Sequence, residues 1–538
     1  MVPADSDPYC PSTVGDRLIS DIVEVKLISV ADEIDAIIIG SGIGGLVTAA
    51  LLARYGWRTV VCESHSIAGG AAHSFSRQGF HFDSGPSFYC GLGNGGEASV
   101  VPSINPLRQI FDALEVTLPT RAYDPLGHYH FPEGTLPIYG DSDRYREAVA
   151  QFTTQGAAEL AAFEAALLRL YDALRRIPTL ALRPDLAAFP LLLGRYGSAL
   201  LKLLPQLPTI QGSVGDILDK TVRDPWVRRL VDLECFLLSG LTAAETVAPE
   251  VAFMFGERSH SVIDYPLGGS GAIIAALVTG LQRWGGTLRL NSHVERILTQ
   301  DGRAVGVRLR GGEVQYAPVV ISNATLWDTY QHLLSPEDLP LDFRQQALET
   351  PAIHSFMHLH LGIRADGLED LTGHHVVVHD PDLTLPGQTC MISIPSVWDP
   401  SLAPPGHHVV HAYTLEPYAG WQRDDTYAAK KRQRAEPLFR ALERVIPDLR
   451  SRIVLELIGT PLTHQRYLRR HQGTYGPAIA AQQGLFPSHR TPIPGLYRVG
   501  DSTLPGIGVP AVAASGILCA NGLVKPAQQR SLLETLAL

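Results

Sequence analysis

The sequence predicts an α/β fold: a Rossmann-type nucleotide-binding domain assembled from discontinuous segments, with an α+β domain inserted between them. Three observations predict it. A strand, a glycine turn, a helix and a second strand follow one another at 35–63. A further strand runs into a Gly-Asp turn and a helix at 495–524. Between the two lies a long stretch of different composition, so the chain ends must meet in one sheet around inserted material.

The chain has 538 residues, enough for about three to four domain equivalents at roughly 150 residues each. Charged residues make up 18%, below the usual ~25%, and apolar residues 45%. That composition excludes a disordered chain. The balance of 44 Lys+Arg against 54 Asp+Glu gives a net charge of −10, which argues against nucleic acid as a partner, because phosphates need a basic field. Low charge points instead to a large internal cavity or an apolar surface. The cysteines, Cys10, Cys62, Cys90, Cys235, Cys390 and Cys519, form no Cys-x-x-Cys pair, which suits a reducing compartment.

Residues 1–33 read as a weakly patterned leader without the basic and apolar regions of a secretory signal. Every long apolar stretch is broken by charge or Pro before the ~20 residues a membrane span needs. From Glu33 the pattern sharpens. Asp35-Ala-Ile-Ile-Ile39 has strand length and ends in the turn Gly40-Ser41-Gly42-Ile43-Gly44-Gly45. Leu46, Ala49, Ala50 and Ala53 share one helical face, Gly56 follows the helix end, and Thr59–Glu63 is the second strand. The region from about 100 to 255 is rich in Pro, Leu and Ala and mostly helical by pattern. A helix after Gly268-Gly-Ser-Gly271 leads into short strands at Thr287–Leu290, Val294–Thr299, Ala304–Leu309, Val314–Ala317 and Val319–Ser322, with hairpin signals at Asp301-Gly302 and Gly311-Gly312. Residues 330–480 mix strands and helices. Segments 34–100, 256–330 and 481–538 are thus expected to build the nucleotide domain, and 101–255 with 331–480 the inserted one.

Gly40, Gly42 and Gly45 fit G-x-G-x-x-G between a strand and a helix. The glycines permit a tight turn, close approach of a pyrophosphate and close helix–sheet packing, and the helix N-terminus offers free N–H groups. Glu63, 18 residues on, stands where a carboxylate bonds a ribose diol. The Gly69-Gly70 doublet and the turn Gly500-Asp501-Ser-Thr-Leu-Pro-Gly-Ile-Gly508-Val509-Pro510 supply a second site that NAD does not need. Asp501 can bond ribityl hydroxyls, and the positive end of a helix starting near Pro510 can face a flavin ring. The cofactor predicted is FAD.

Four strings carry a family resemblance: DAIIIGSGIGGL (35–46), GFHFDSGPSF (79–88), GTPLTHQRYLRRHQGTYGP (459–477) and GLYRVGDSTLPGIGVPAVAASG (495–516). The chain resembles the carotenoid desaturase and carotenoid cis–trans isomerase branch of the FAD-dependent, amine-oxidase-like superfamily, which also holds retinol saturases. The resemblance implies that Gly40, Ser41, Gly42, Gly44 and Gly45 line the pyrophosphate and Glu63 the adenosine ribose. It implies that Gly69 and Gly70 pass close to the cofactor and that Val294 offers its backbone to the adenine. It also implies that Gly500 and Asp501 hold the ribityl chain, and that Gly508, Val509 and Ala511 approach the isoalloxazine. One departure stands out: the family's Pro-Gly-Gly is Ala68-Gly69-Gly70 here. The position after it, often Arg, is Ala71, so that phosphate contact is lost or moved to His73 or Arg77.

The function implied is oxidoreduction or isomerisation of a long isoprenoid polyene, with isomerisation favoured by the two C-terminal strings. Another apolar substrate, such as a quinone or retinoid, and a non-catalytic flavoprotein scaffold are the alternatives. The electron donor or acceptor and the catalytic acid or base are left open. Leu191–Leu204 carries a polar stripe of Arg195, Ser198 and Lys202 on an otherwise apolar helix, which suits an interfacial helix. The expected location is cytoplasmic and peripheral on a membrane, plastid- or thylakoid-facing in a phototroph. His354, His358 and His360 are read as packing histidines rather than metal ligands, with no metal expected. Arg466–His471 is read as a solvated surface or a phosphate contact, and Asp83 as a turn cap or a cofactor contact.

Overall fold

A computed structural model of the chain describes residues 33–85, 87–93 and 103–538; the leader expected at 1–33 lies, apart from Glu33, outside the described residues. Five strands form one all-parallel sheet in the order Leu496–Arg498, Val319–Ser322, Ala36–Ile39, Thr59–Cys62, Thr287–Arg289. Both ends of the chain therefore contribute to one sheet. Parallel strands buried on both faces read as unbroken apolar runs, and AIII and TVVC do so. Their side chains alternate between two cores. Ile37, Ile39, Val60 and Cys62 face the antiparallel strands Val294–Gln300, Arg303–Leu309 and Val314–Tyr316. Ala36, Ile38, Val61 and Ile321 face the helices Ile43–Arg54, Ser270–Arg283 and Val509–Leu523. Helix Pro106–Leu114 also packs in this second core through Leu107, Ile110, Phe111 and Leu114.

Close approach is required where these helices meet. A Cβ on Gly45 would lie 2.3 Å from the Gly40 carbonyl oxygen, and one on Gly516 would lie 2.7 Å from that of Gly44.

A second, seven-stranded sheet runs in the order Ile453–Gly459, Ser355–Arg364, His407–Glu416, Thr389–Ser393, His374–Val378, Gly127–Phe131, Gly134–Ile138. All its pairs are antiparallel except His374–Val378 with Gly127–Phe131. The region 101–255, helical by pattern, thus also supplies the last two strands of this sheet, of which Gly134–Ile138 is the edge. Each alternates over only four residues, His128-Tyr-His-Phe131 and Thr135-Leu-Pro-Ile138, with Tyr129, Phe131, Leu136 and Ile138 on the core side. Met357, Leu359, Leu361, Val410 and Ala412 pack under helix Tyr427–Val445. The opposite face carries Phe356, His358, Tyr413 and Leu415 and forms a cavity wall. Helices Thr154–Leu174, Val214–Thr221, Pro225–Ser239 and Ala248–His260 share a core that roofs this side.

Candidate cofactor and substrate site

One cavity of about 1630 Å³ runs from the glycine turns of the parallel sheet to the inner face of the seven-stranded sheet. Gly40, Ser41, Gly42, Gly44, Glu63, Gly69, Gly70, Val294, Gly500, Asp501, Gly508, Val509 and Ala511 all line it. Gly45 does not; it sits beneath the turn, in contact with Gly40.

One end of the cavity is organised around Glu63. Its Oε2 accepts from the Ser41 backbone N–H at 2.8 Å and the Ser41 hydroxyl at 2.6 Å, and its Oε1 accepts from the His65 N–H at 2.7 Å. The Gly69 N–H donates to the Ser41 Oγ at 3.1 Å, which ties the glycine doublet to the first turn. Helix Ile43–Arg54 starts at Gly42 and helix Val509–Leu523 at Gly508, and neither has a side-chain cap. Two uncapped helix N-termini therefore border the same cavity, and free N–H groups at such ends hold phosphates and other electron-rich oxygens. These residues fit FAD.

Asn323, which the motifs did not reveal, fills the space between the turns. Its N–H donates to the Ile39 carbonyl at 2.9 Å. A Cβ on Gly42 would meet its Nδ2 at 2.6 Å, and one on Gly500 its Oδ1 at 2.9 Å. The only signal in the sequence was its position immediately after the strand Val319–Ser322.

Asp501 forms an ion pair with Arg470, whose guanidinium also donates to the carbonyls of Thr474 and Tyr475 at 2.9 and 3.0 Å. The basic run is therefore not wholly a solvated surface: Arg466, Arg469, Arg470 and His471 border the cavity. His73 lines it too, but burial lowers its pKa to about 4, and its Nδ1 lies 2.7 Å from the Gly70 carbonyl. It is neutral and bound to backbone, whereas Arg77 does not line the cavity. Asp83 lies behind the wall, where it accepts from Ser74 at 2.8 Å, from the Ser270 N–H and hydroxyl at 2.9 and 2.8 Å, and from Tyr265 at 3.2 Å. Burial raises its pKa, against those hydrogen bonds.

His358 and His360 point to one face of their strand, but their partners come from elsewhere. His411 pairs across the sheet with His360. His358 Nδ1 and His411 Nε2 lie 2.6 Å apart, and His464 packs against the His358 ring at 4.4 Å. His358 Nε2 and His411 Nδ1 are buried without a partner. Burial, reinforced by the neighbouring imidazoles, drives the pKa of His358 and His411 well below the ordinary value. His358, His360 and His411 offer ring nitrogens within 4.8 Å of one another. Their rings stack at 6°, 13° and 16°, however, and the 2.6 Å link is shorter than the ~3.3 Å between two ligands of a tetrahedral ion at 2.0–2.1 Å. His354 is exposed and stands apart from this cluster.

Among the described residues Cys62, Cys90, Cys235, Cys390 and Cys519 are free thiols.

Comparison with known proteins agrees with this geometry. The family model described as "Flavin containing amine oxidoreductase" matches residues 43–524. The chain is 35% identical over 511 residues to prolycopene isomerase 1, chloroplastic, of an Oncidium hybrid cultivar, covering 93% of this chain and 85% of that one. It is 26% identical over 545 residues to a phytoene desaturase (neurosporene-forming) of Cereibacter sphaeroides, covering 92% and 95%. Cyclohexylamine oxidase from Brevibacterium oxydans IH-35A shares the fold with a TM-score of 0.56 at 16% identity, covering 94% of this chain and 100% of that one. With its glycine turns, acidic strand end and two uncapped helices facing one cavity, the chain belongs to the flavin-containing amine oxidoreductase family and is an FAD-dependent enzyme.

Proposed function

We propose that this enzyme acts on a long isoprenoid polyene, by cis–trans isomerisation or desaturation, at a membrane surface. The observation that carries the reading is the continuity of the cavity. One space passes from the nucleotide turns to a wall of Phe356, Tyr413, Leu415, Met391, Phe236 and Met254, with room beyond the cofactor for an extended apolar chain. The names of the similar proteins, an isomerase of prolycopene and a desaturase of phytoene, support the same substrate class.

In this reading segments 34–100, 256–330 and 481–538 hold FAD, and 101–255 with 331–480 form most of the substrate enclosure. Glu63 and Ser41 hold the adenosine ribose, the turn Gly40–Gly44 the pyrophosphate, Val294 the adenine, and Gly500 and Asp501 the ribityl chain. Gly508, Val509 and Ala511 lie against the ring. Bound flavin supplies reversible hydride or electron-density transfer to carbon next to a double bond; the protein orients the chain and excludes water.

The membrane part of the proposal rests on helix Ala188–Leu203 and its flanks. Leu191, Tyr196 and Ala199 are buried. Leu186, Phe189 and Leu201 are 93%, 68% and 69% exposed, and Arg195 and Lys202 are exposed beside them. An exposed apolar stripe edged by cations matches a helix lying in a lipid interface. Leu182, Pro184 and Ile210, at its two ends, line the cavity, which gives an insoluble chain a route inward. No helix among the described residues is long and apolar enough to cross a membrane.

The test is turnover by flavin-loaded protein on vesicles that carry a poly-cis carotene. Products of unchanged mass and altered chromatographic retention, or of mass lower by two hydrogens, support the reading. Turnover of quinones with no change in the carotene refutes it.

A further inference from the structure

We propose that Glu250 is the catalytic acid of this site, lending one proton to the polyene and taking it back; the inference rests on the polyene reading above. Among the described residues the cavity wall holds the carboxyl groups of Glu63, Glu234, Glu250, Glu295, Asp328 and Asp501. Five are engaged. Glu63 is held by Ser41 and His65, Glu234 by Arg258 at 3.3 Å, and Glu295 by Arg310 at 3.4 Å. Asp328 accepts from the His471 N–H at 2.9 Å, and Asp501 pairs with Arg470. The Glu250 carboxyl group has no hydrogen-bond or ion-pair partner among the described residues; its backbone N–H donates to the Val247 carbonyl at 3.3 Å. A carboxyl group without a partner in an apolar wall is expensive to keep unless it is neutral.

Its surroundings fit a neutral acid. Glu250 lies in the first turn of helix Ala248–His260, and Val247, Pro249, Phe253 and Met254 line the cavity beside it. Phe236, Leu237 and Leu238 of helix Pro225–Ser239, with Tyr475 and Ile507, line the same cavity. The titratable groups within electrostatic reach are Tyr475 and Cys235, and burial raises the pKa of both, so both are neutral. Among the described residues no cation pairs with Glu250, and burial pushes its pKa up to about 8. The raised value favours the protonated form at pH 7, on a half-buried side chain that lines the space the substrate would fill.

The step balances without an oxidant or reductant. The Glu250 O–H bond breaks and a C–H bond forms at one end of a double bond, with the π pair supplying the electrons. The positive charge spreads along the remaining conjugation, and the former double bond becomes a single bond that rotates. The Glu250 carboxylate then removes a proton from the same carbon, and the double bond re-forms in the other geometry. A dry, low-dielectric wall holds carboxylate and cation together and keeps water from trapping the cation.

The experiment compares wild type with Glu250→Gln and Glu250→Asp, all FAD-loaded, on vesicle-borne poly-cis carotene. An amide keeps the shape and cannot protonate carbon. E250Q is expected to lose about 100-fold or more in kcat, the usual worth of a positioned acid, with flavin content and KM unchanged. Wild-type kcat is expected to fall as pH rises through about 8, and E250D to retain part of the activity with a displaced midpoint. Infrared difference spectra at pH 7 should show a protonated carboxyl C=O band that E250Q lacks, independently of turnover. E250Q turnover within about threefold of wild type, or absence of that band from wild type, overturns the role of Glu250 alone. Failure of flavin-loaded wild type on every polyene overturns the polyene reading and this inference with it.

Discussion

Ser41 and Glu63, 22 residues apart, are joined twice: the Ser41 N–H and hydroxyl both donate to the same Glu63 oxygen, at 2.8 and 2.6 Å. The pair fixes the first glycine turn against the end of the second strand. Through Gly69, which donates to the Ser41 Oγ, it also places the glycine doublet. The acid proposed to hold the ribose is thus also the one that shapes the turn proposed to hold the phosphates.

Glu63→Ala should therefore cost more than one ribose contact. Hydrogen bonds to a charged group are worth about 1.5–3 kcal/mol each, so FAD affinity should fall by roughly 10–100-fold, with a lower Tm as well. The 450 nm absorbance per polypeptide after gel filtration, and Tm with and without added FAD, check both effects.

Gly45→Ala should destabilise without touching the cofactor directly. Its Cβ would lie 2.3 Å from the Gly40 carbonyl oxygen, a backbone atom that cannot rotate away. Overpacking of this kind costs about 1–3 kcal/mol. A chemical denaturation midpoint below wild type, for protein saturated with FAD, is the expected result.

Acid should weaken the fold through the buried histidines. Burial holds His360 at about 4 and His464 at about 3, and His358 and His411 well below the ordinary value. Between pH 6.5 and those values the unfolded chain binds protons that the folded one does not. Their neutral pairing therefore contributes stability above pH 6.5 that is lost as pH falls. Tm should drop from pH 7 to pH 5, and His464→Gln, which removes one such group, should make that drop smaller.

Membrane binding should depend on the exposed leucines. Replacing Leu193 and Leu201 by Asp removes two side chains worth about 1.5–3 kcal/mol each when buried. Co-sedimentation with anionic vesicles should fall at least tenfold, while flavin content stays at the wild-type level.

The parallel sheet was legible because its signals are local. AIII before Gly40, TVVC before Glu63 and VVIS at 319–322 are short buried runs, each next to a turn or an acid that marks its end. The residues on those strand ends that line the cavity were legible for the same reason. What escaped was long-range. His411 stands 53 residues from His358 and meets it only through strand pairing. Asn323 carries no motif of its own, and Glu250 sits in a helix whose apolar face gives no hint of a cavity. Strands Gly127–Phe131 and Gly134–Ile138 lie at one side of their sheet, and their alternations, His128-Tyr-His-Phe131 and Thr135-Leu-Pro-Ile138, span only four residues each within a region helical by pattern.

The most direct test of the central claim is chromatography with mass spectrometry of neutral lipids from carotenoid-producing cells, with and without this protein. The account predicts a polyene that changes retention at constant mass, or loses two hydrogens, only when the protein is present and Glu63 is intact. An identical polyene profile in both cell lines, with flavin-loaded protein recovered from the expressing one, would contradict it.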